Sequence, residues 1–262
     1  MFPFKYNNVW YDSCTSVNAN YYWCSVDTIY SSRWVRCANR CPQLALLATQ
    51  SSLTDIHTSC TDPSPEFISS MSPNQTDIDT ILKLHNNARS SVNPRAALMA
   101  SVAWDWRMAR LAQAAANLCD GGDCGNCRTL LNNQTVSIGQ NTVQLSGTLN
   151  WQSAFSTWTS DKGDNAQIIT DQLFAIGCGV SFCAGEYLYV CNYATDSYDS
   201  SVPYLTGQPC TNCSACSNNL CSCNKICQNY GTLNTKTCTC QCLPYATGDL
   251  CEIMLCDQND AG

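Results

Sequence analysis

Apolar positions recur with a helical period from residue 78 to residue 88. Ile78, Ile81, Leu82, His85 and Ala88 fall on one face, Thr76-Asp77 reads as the cap, and Asn93-Pro94 ends the segment. A second stripe, formed by Trp104, Met108, Leu111, Ala115 and Leu118, predicts a helix over 105–118. Its Ala-rich 112–116 run allows close packing, and Gly121-Gly122 stops it. Residues 148–160, with Leu149, Phe155 and Trp158, predict a third helix. The period then changes to two. Residues 175–183 and 186–193 predict strands joined through Ala184-Gly185. In the second strand Leu188, Val190 and Asn192 face one side, and Tyr189, Cys191 and Tyr193 the other. Helices first and strands later predict an α+β layered domain.

Texture divides the rest of the chain. Residues 1–41 are aromatic and Cys-bearing, and most of 42–75, with Pro63-Ser64-Pro65 and Ser72-Pro73, reads as a Ser/Thr/Pro linker. The periodic part occupies 76–207. Residues 208–256 hold eleven of the 22 cysteines and almost no apolar periodicity, so bridges must supply their stability. An even, dense cysteine set with only 13% charged residues reads as a disulfide framework from an oxidising compartment, hence a secreted, extracellular protein. With only His57 and His85, metal knuckles are the weaker reading of the cysteines. A net charge of −7 with no basic run argues against nucleic acid and anionic membranes. No apolar stretch approaches a bilayer span; Leu44–Ala48 is the longest. The chain opens without an export signal, as a mature form, a fragment or a truncated gene model would. Asn74-Gln75-Thr76 and Asn133-Gln134-Thr135 are N-glycan sequons; Asn212-Cys213-Ser214 is a poor one.

Several segments together carry a resemblance. They are Leu84-His85-Asn86-Asn87-Ala88-Arg89, Trp104-Asp105 with Leu111 to Ala116, Ile138-Gly139-Gln140-Asn141, Trp158, Ile176-Gly177-Cys178-Gly179 and Leu188 to Tyr193. In that order they resemble the signatures of the CAP superfamily (cysteine-rich secretory, antigen 5 and pathogenesis-related proteins). The resemblance implies an α-β-α sandwich CAP domain over 76–207. It also implies the bridges Cys178–Cys191 and Cys119–Cys183; a third family bridge has lost both partners, at places such as Ile138 and Ala194. Cys124 and Cys127 are extra and could pair locally. Family members often hold a divalent metal between two His and two acids. Here the matching positions are His85, Gln140, Asp161 and Asp164, a poor zinc set. No metal or other cofactor is expected, and His85 is read as a helix histidine bonded to its neighbours. With no Ser-His-Asp or Cys-His set, catalytic residues are not expected either.

Phe2-Pro3-Phe4, Tyr6, Trp10, Cys14-Thr15, Trp23-Cys24, Tyr30 and Trp34 to Cys37 resemble a fibronectin type II module, with short loops and its first cysteine missing. The resemblance implies Cys14–Cys37 and leaves Cys24 without its usual partner; Cys41 and Cys60 could pair with each other. It also implies an aromatic cluster, Trp10, Trp23, Tyr30 and Trp34, for collagen-like segments or choline headgroups; filling the small core is the rival reading. Residues 208–222 resemble the hinge of cysteine-rich secretory proteins, implying Cys210–Cys216 and Cys213–Cys221. Residues 223–252 resemble an EGF-like module, implying Cys223–Cys238, Cys227–Cys240 and Cys242–Cys251. Ser222 and Asn224 are poor hard-cation ligands, so calcium is not implied, and 253–262 is a tail in which Cys256 could begin a downstream module.

The mosaic points to a secreted, non-enzymatic binding protein whose partner is extracellular matrix, a lipid or sterol, or a cell-surface protein. A metal-assisted hydrolase using the CAP cleft and a venom or defence protein acting on an ion channel are the rival functions.

Overall fold

The computed structural model describes residues 4–11, 17–19, 23–25, 27, 29–36, 63–121, 137–171, 173–195, 202–211, 213–223, 225, 227, 232–234, 237–242 and 246–254. Two hairpins form the N-terminal module: β1 (Phe4–Tyr6) with β2 (Val9–Tyr11), and β3 (Trp23–Ser25) with β4 (Trp34–Arg36). The central domain runs β5 (Phe67–Ser70), α1 (Gln75–Ser90), β6 (Ala103–Trp104), α2 (Trp106–Asn117), β7 (Ser137–Leu145), α3 (Trp151–Ser160), α4 (Lys162–Ile169), β8 (Leu173–Cys183) and β9 (Glu186–Thr195). Short ladders complete the C-terminal region: β10 (Cys216–Ser217) with β11 (Leu220–Cys221), β12 (Thr232–Asn234) with β13 (Thr239–Gln241), and β14 (Ala246–Thr247) with β15 (Ile253–Met254).

The central sheet has the order β5-β8-β9-β7, with β6 joining β8 in parallel. Strand parity assigns its faces. Leu188 and Val190 of β9 meet Ala112 and Ala116 of α2. Tyr189, Cys191 and Tyr193 point to the opposite side, where Ile78, Ile81, Phe155, Trp158 and Ile168 from α1, α3 and α4 cover them. This is the expected α+β architecture, an α-β-α sandwich. Two glycines let α2 lie directly on β8. A Cβ on Gly177 would sit 2.1 Å from the Ala109 backbone nitrogen, and one on Gly179 would sit 2.4 Å from the Gln113 Cα. Ala184 and Gly185, both at positive φ, make the tight β8–β9 turn.

Several local expectations shift. Asn74, not Thr76-Asp77, caps α1. Its Oδ1 accepts from the Thr76 and Asp77 amides, while the Asp77 carboxylate accepts from the Asn74 amide. The α2 helix ends at Asn117, ahead of Gly121, because Cys119 turns left-handed (φ 55) into its disulfide. Its buried face includes Met108, Leu111, Ala112, Gln113 and Ala116, while Ala115 and Leu118 lie half-buried. Residues 148–150 precede α3 rather than open it, since Asn150 is the cap. Strand β5 falls inside the stretch read as linker, pairing Phe67 with Cys183 and Ser70 with Ser181.

Seven disulfides lie among the described residues: Cys119–Cys183, Cys178–Cys191, Cys210–Cys216, Cys213–Cys221, Cys223–Cys238, Cys227–Cys240 and Cys242–Cys251. These are the pairs that the resemblances imply. The C-terminal region is not detached from the domain: Cys227 and Leu233 share a buried cluster with Met108, Leu111 and Phe174. The pair Cys14–Cys37, the side chain of Trp10 and the sequon Asn133 fall outside the described residues.

Candidate functional site

Helical spacing puts His85 and Arg89, four residues apart, on the buried face of α1. His85 is 1% exposed. Its Nδ1 lies 2.8 Å from the Ile81 carbonyl, which can only accept, so Nδ1 carries the proton. The Nε2 lone pair therefore accepts from the Tyr193 hydroxyl at 3.3 Å. The Phe155 ring stands edge-on to the imidazole, with centroids 4.8 Å apart. Burial removes the water that would stabilise an imidazolium and lowers the His85 pKa to about 4. The Ile81 contact opposes this, and the nearby Arg89 charge adds to it.

Around this pair stand Asn141 of β7 and Asp164 of α4. The Asn141 Nδ2 donates to the Asp164 carbonyl at 3.1 Å, and its buried Oδ1 has no hydrogen-bond partner among the described residues. The Asp164 carboxyl is raised from its ordinary value by partial burial and then by neighbouring Asp161. The Tyr193 hydroxyl is pushed well upward by burial and by Asp164, against a weaker pull from the Asn141 amide. Arg89 is equally enclosed. Its guanidinium donates to the carbonyls of Ala100, Ile168, Thr170 and Leu173 at 2.7–3.1 Å. Burial lowers its pKa to about 9, with Asp171 resisting.

The four positions matched to the family's metal site do not converge. His85 and Asp164 share one face of the sheet. Gln140 points to the other, where its Nε2 donates to Asn192 Oδ1 at 2.8 Å and Asn192 in turn donates to the Met108 carbonyl. Asp161 is exposed at the C-cap of α3, and its carboxylate accepts from the Asp164 amide. A divalent ion would have to displace Tyr193 from Nε2 and would find an amide where a carboxylate is needed, so this donor set does not fit one. The close pocket is Tyr193, Asn141 and Asp164 around His85. Tyr193 and Asn141 were absent from the sequence-derived set, although strand parity carries the signal: Asn141 lies opposite Cys191, on the Tyr193 face. Among the described residues the one tight group of potential ligands is Cys210, Cys213 and Cys221, and all three are in disulfides.

In the N-terminal module the aromatic candidates separate. Trp23 is 6% exposed, stacks among Phe4, Tyr6 and Tyr30 and donates its indole N–H to the Val17 carbonyl at 3.0 Å. Tyr30 is half-buried against the same rings, whereas Trp34 is 44% exposed. Elsewhere a cavity of about 530 Å³ opens between α1, β6 and the start of α2. Ile78, Leu82, Val102, Trp104 and Trp106 line it, together with Gln75, Asp105, Arg107 and Cys227. No helix among the described residues is long and apolar enough to cross a membrane.

Residues 82–193 match the model of the cysteine-rich secretory protein family, CAP, and residues 1–37 that of the fibronectin type II domain. A cysteine-rich venom protein of Conus textile is 31% identical over 234 residues, covering 79% of this chain and 76% of its own. Cysteine-rich secretory protein 2 of Cavia porcellus is 28% identical over 188 residues, covering 60% of this chain and 73% of its own. The crystal structure of hookworm platelet inhibitor shares the fold, with a TM-score of 0.50 at 22% identity over 60% of this chain and 95% of that one.

Proposed function

Because this chain belongs to the cysteine-rich secretory protein (CAP) family, we propose that it is a secreted, non-enzymatic recognition protein. Its CAP domain presents binding surfaces together with a fibronectin type II module and a C-terminal EGF-like module. One observation carries the non-enzymatic part: both imidazole nitrogens of His85 are engaged, inside a cluster that excludes solvent. Zinc titration tests it. Tight zinc binding that disappears in His85→Ala would overturn this reading and favour a metal-assisted hydrolase.

The partner is extracellular matrix, a lipid or sterol, or a cell-surface protein. Two surfaces offer themselves. Trp34 supplies an exposed aromatic face for a collagen-like segment or a choline headgroup. The Trp104–Trp106 cavity, of a volume usual for small-ligand sites, suits an apolar molecule. A binding screen of the full chain against collagen, phosphocholine vesicles and cholesterol separates them. Trp34→Ala is expected to weaken the first two, and Trp106→Ala the third. Binding unchanged in both variants would remove both surfaces.

The venom-protein relative from a cone snail favours a second reading, a venom or defence component acting on an ion channel. Block of a channel current by the purified full chain would select it.

A further inference from the structure

The hinge is built from two interlocked bridges, Cys210–Cys216 and Cys213–Cys221. Both tie the turn at 210–213 to the β10–β11 hairpin. The Sγ atoms of Cys210, Cys213 and Cys221 all lie within 4.8 Å of one another, so Cys210 of one bridge sits beside both sulfurs of the other. A second fact puts an alternative pairing within reach. Cys216 and Cys221 are direct cross-strand partners in the hairpin. Such partners have Cα atoms about 4.5–5.5 Å apart, inside the range a disulfide spans. Cys210 and Cys213 close a turn of their own, with the Cys213 amide donating to the Cys210 carbonyl.

We propose that the hinge is a thiol-reactive exchange site with two disulfide isomers, taking a low-molecular-weight thiol as co-reactant. Cys216 is exposed and Cys221 is buried, so an external thiolate enters at Cys216. Its attack on the Cys216 sulfur forms a mixed disulfide, breaks Cys210–Cys216 and leaves the electron pair on Cys210 as a thiolate. That thiolate attacks Cys213, forms Cys210–Cys213 and releases Cys221 as a thiolate. The Cys221 thiolate then attacks Cys216, forms Cys216–Cys221 and expels the small thiol. Two disulfides are exchanged for two others, and nothing is oxidised or reduced.

The isomers differ in mechanics. In the first, the turn and the hairpin are covalently joined. In the second, each is closed on itself. The two are then held together by the intervening chain, by hydrogen bonds to the 95–101 loop (Gly207 to Arg95, Thr211 to Ala97, and Cys221 with Met99 and Ser101) and by the packing of Leu220 on Ala96 and Met99. The thiol thus sets how firmly the hinge is clamped.

The full chain is incubated with reduced glutathione, alkylated to stop exchange, denatured and cut after Ala215 with elastase. In the first isomer the peptides on either side of the cut stay joined; in the second they separate, each with its own internal bridge. The expected result is loss of the joined species with growth of separate peptides over minutes to hours. Joined peptides throughout, whether or not Cys216 acquires glutathione, overturn the proposal. The variant Cys210→Ser gives an independent reading. Its Cys216 thiol faces Cys221 and should capture it, so the alkylated thiol appears at Cys213. An alkylated Cys216 with Cys213–Cys221 intact also overturns it.

Discussion

His85 stays neutral because its protonated form would have neither water nor a counter-charge. The groups acting on it are the Arg89 cation and the Tyr193 hydroxyl, while the Asp164 carboxyl acts on Tyr193. An unfolded histidine titrates near 6.5, and the folded one near 4. As pH falls through that interval the unfolded chain takes up a proton that the folded chain refuses. The stability tied to this ring is therefore complete above pH 6.5 and is lost toward pH 4, by about 3 kcal/mol in all. The raised Asp164 carboxyl works in the opposite sense and offsets part of the loss. Denaturant midpoints of His85→Gln should fall less steeply between pH 6.5 and 4 than those of the parent; equal slopes would show that the ring is not the titrating group. Arg89 makes a second residue-scale case. Removing it in Arg89→Met leaves four buried carbonyls without their donor. The expected loss is about 3–5 kcal/mol in urea unfolding, with Arg89→Lys falling between. At Asn74 the helix cap uses only Oδ1, and the side chain is exposed. A glycan on Nδ2 would leave the cap intact, so expression in a glycosylating host should add a glycosidase-sensitive mass that Asn74→Asp lacks.

At the scale of elements, the contact between α2 and β8 depends on backbone approaching backbone. Gly177→Ala and Gly179→Ala each drive a methyl into the helix main chain, where nothing can swing aside. Overpacking usually costs about 1–3 kcal/mol, and here the upper end or more is expected, read as a lowered melting temperature. A parent-like melt in both variants would mean the helix can ride higher on the sheet. The same elements show what a sequence displays and what it hides. The helices α1 to α3 and the strands β8 and β9 carry long apolar periods, so they were legible within a few residues. Strand β7 was not, because Gly139, Gln140, Asn141 and Thr142 interrupt its apolar alternation. Helix α4 opens with Lys162-Gly163-Asp164-Asn165, which reads as a loop until Ala166 and Ile168 are seen to be buried. Missing β7 had a direct effect on the candidate site. Gln140 and Asn141 are neighbours in sequence, and only strand parity tells that they face opposite layers.

Across the whole molecule, the N-terminal module holds its fold through a few stacked rings, and this divides its tryptophans. Trp23→Ala removes the centre of the Phe4, Tyr6 and Tyr30 cluster and should unfold the module. Trp34→Ala should lower its melt far less than Trp23→Ala does, while lowering ligand binding. Loss of near-UV circular dichroism in the first variant alone is the expected signature. At the other end, the change of texture at 208–222 suggested a succession of separable units. The buried cluster of Met108, Leu111 and Phe174 with Cys227 and Leu233 runs across that division. For the gene, this restricts recombination. A C-terminal module exchanged at the hinge would arrive without the Cys227 and Leu233 contacts and strand an apolar patch on α2 and β8. Lineages that swap this module must therefore change positions 108, 111 and 174 along with it.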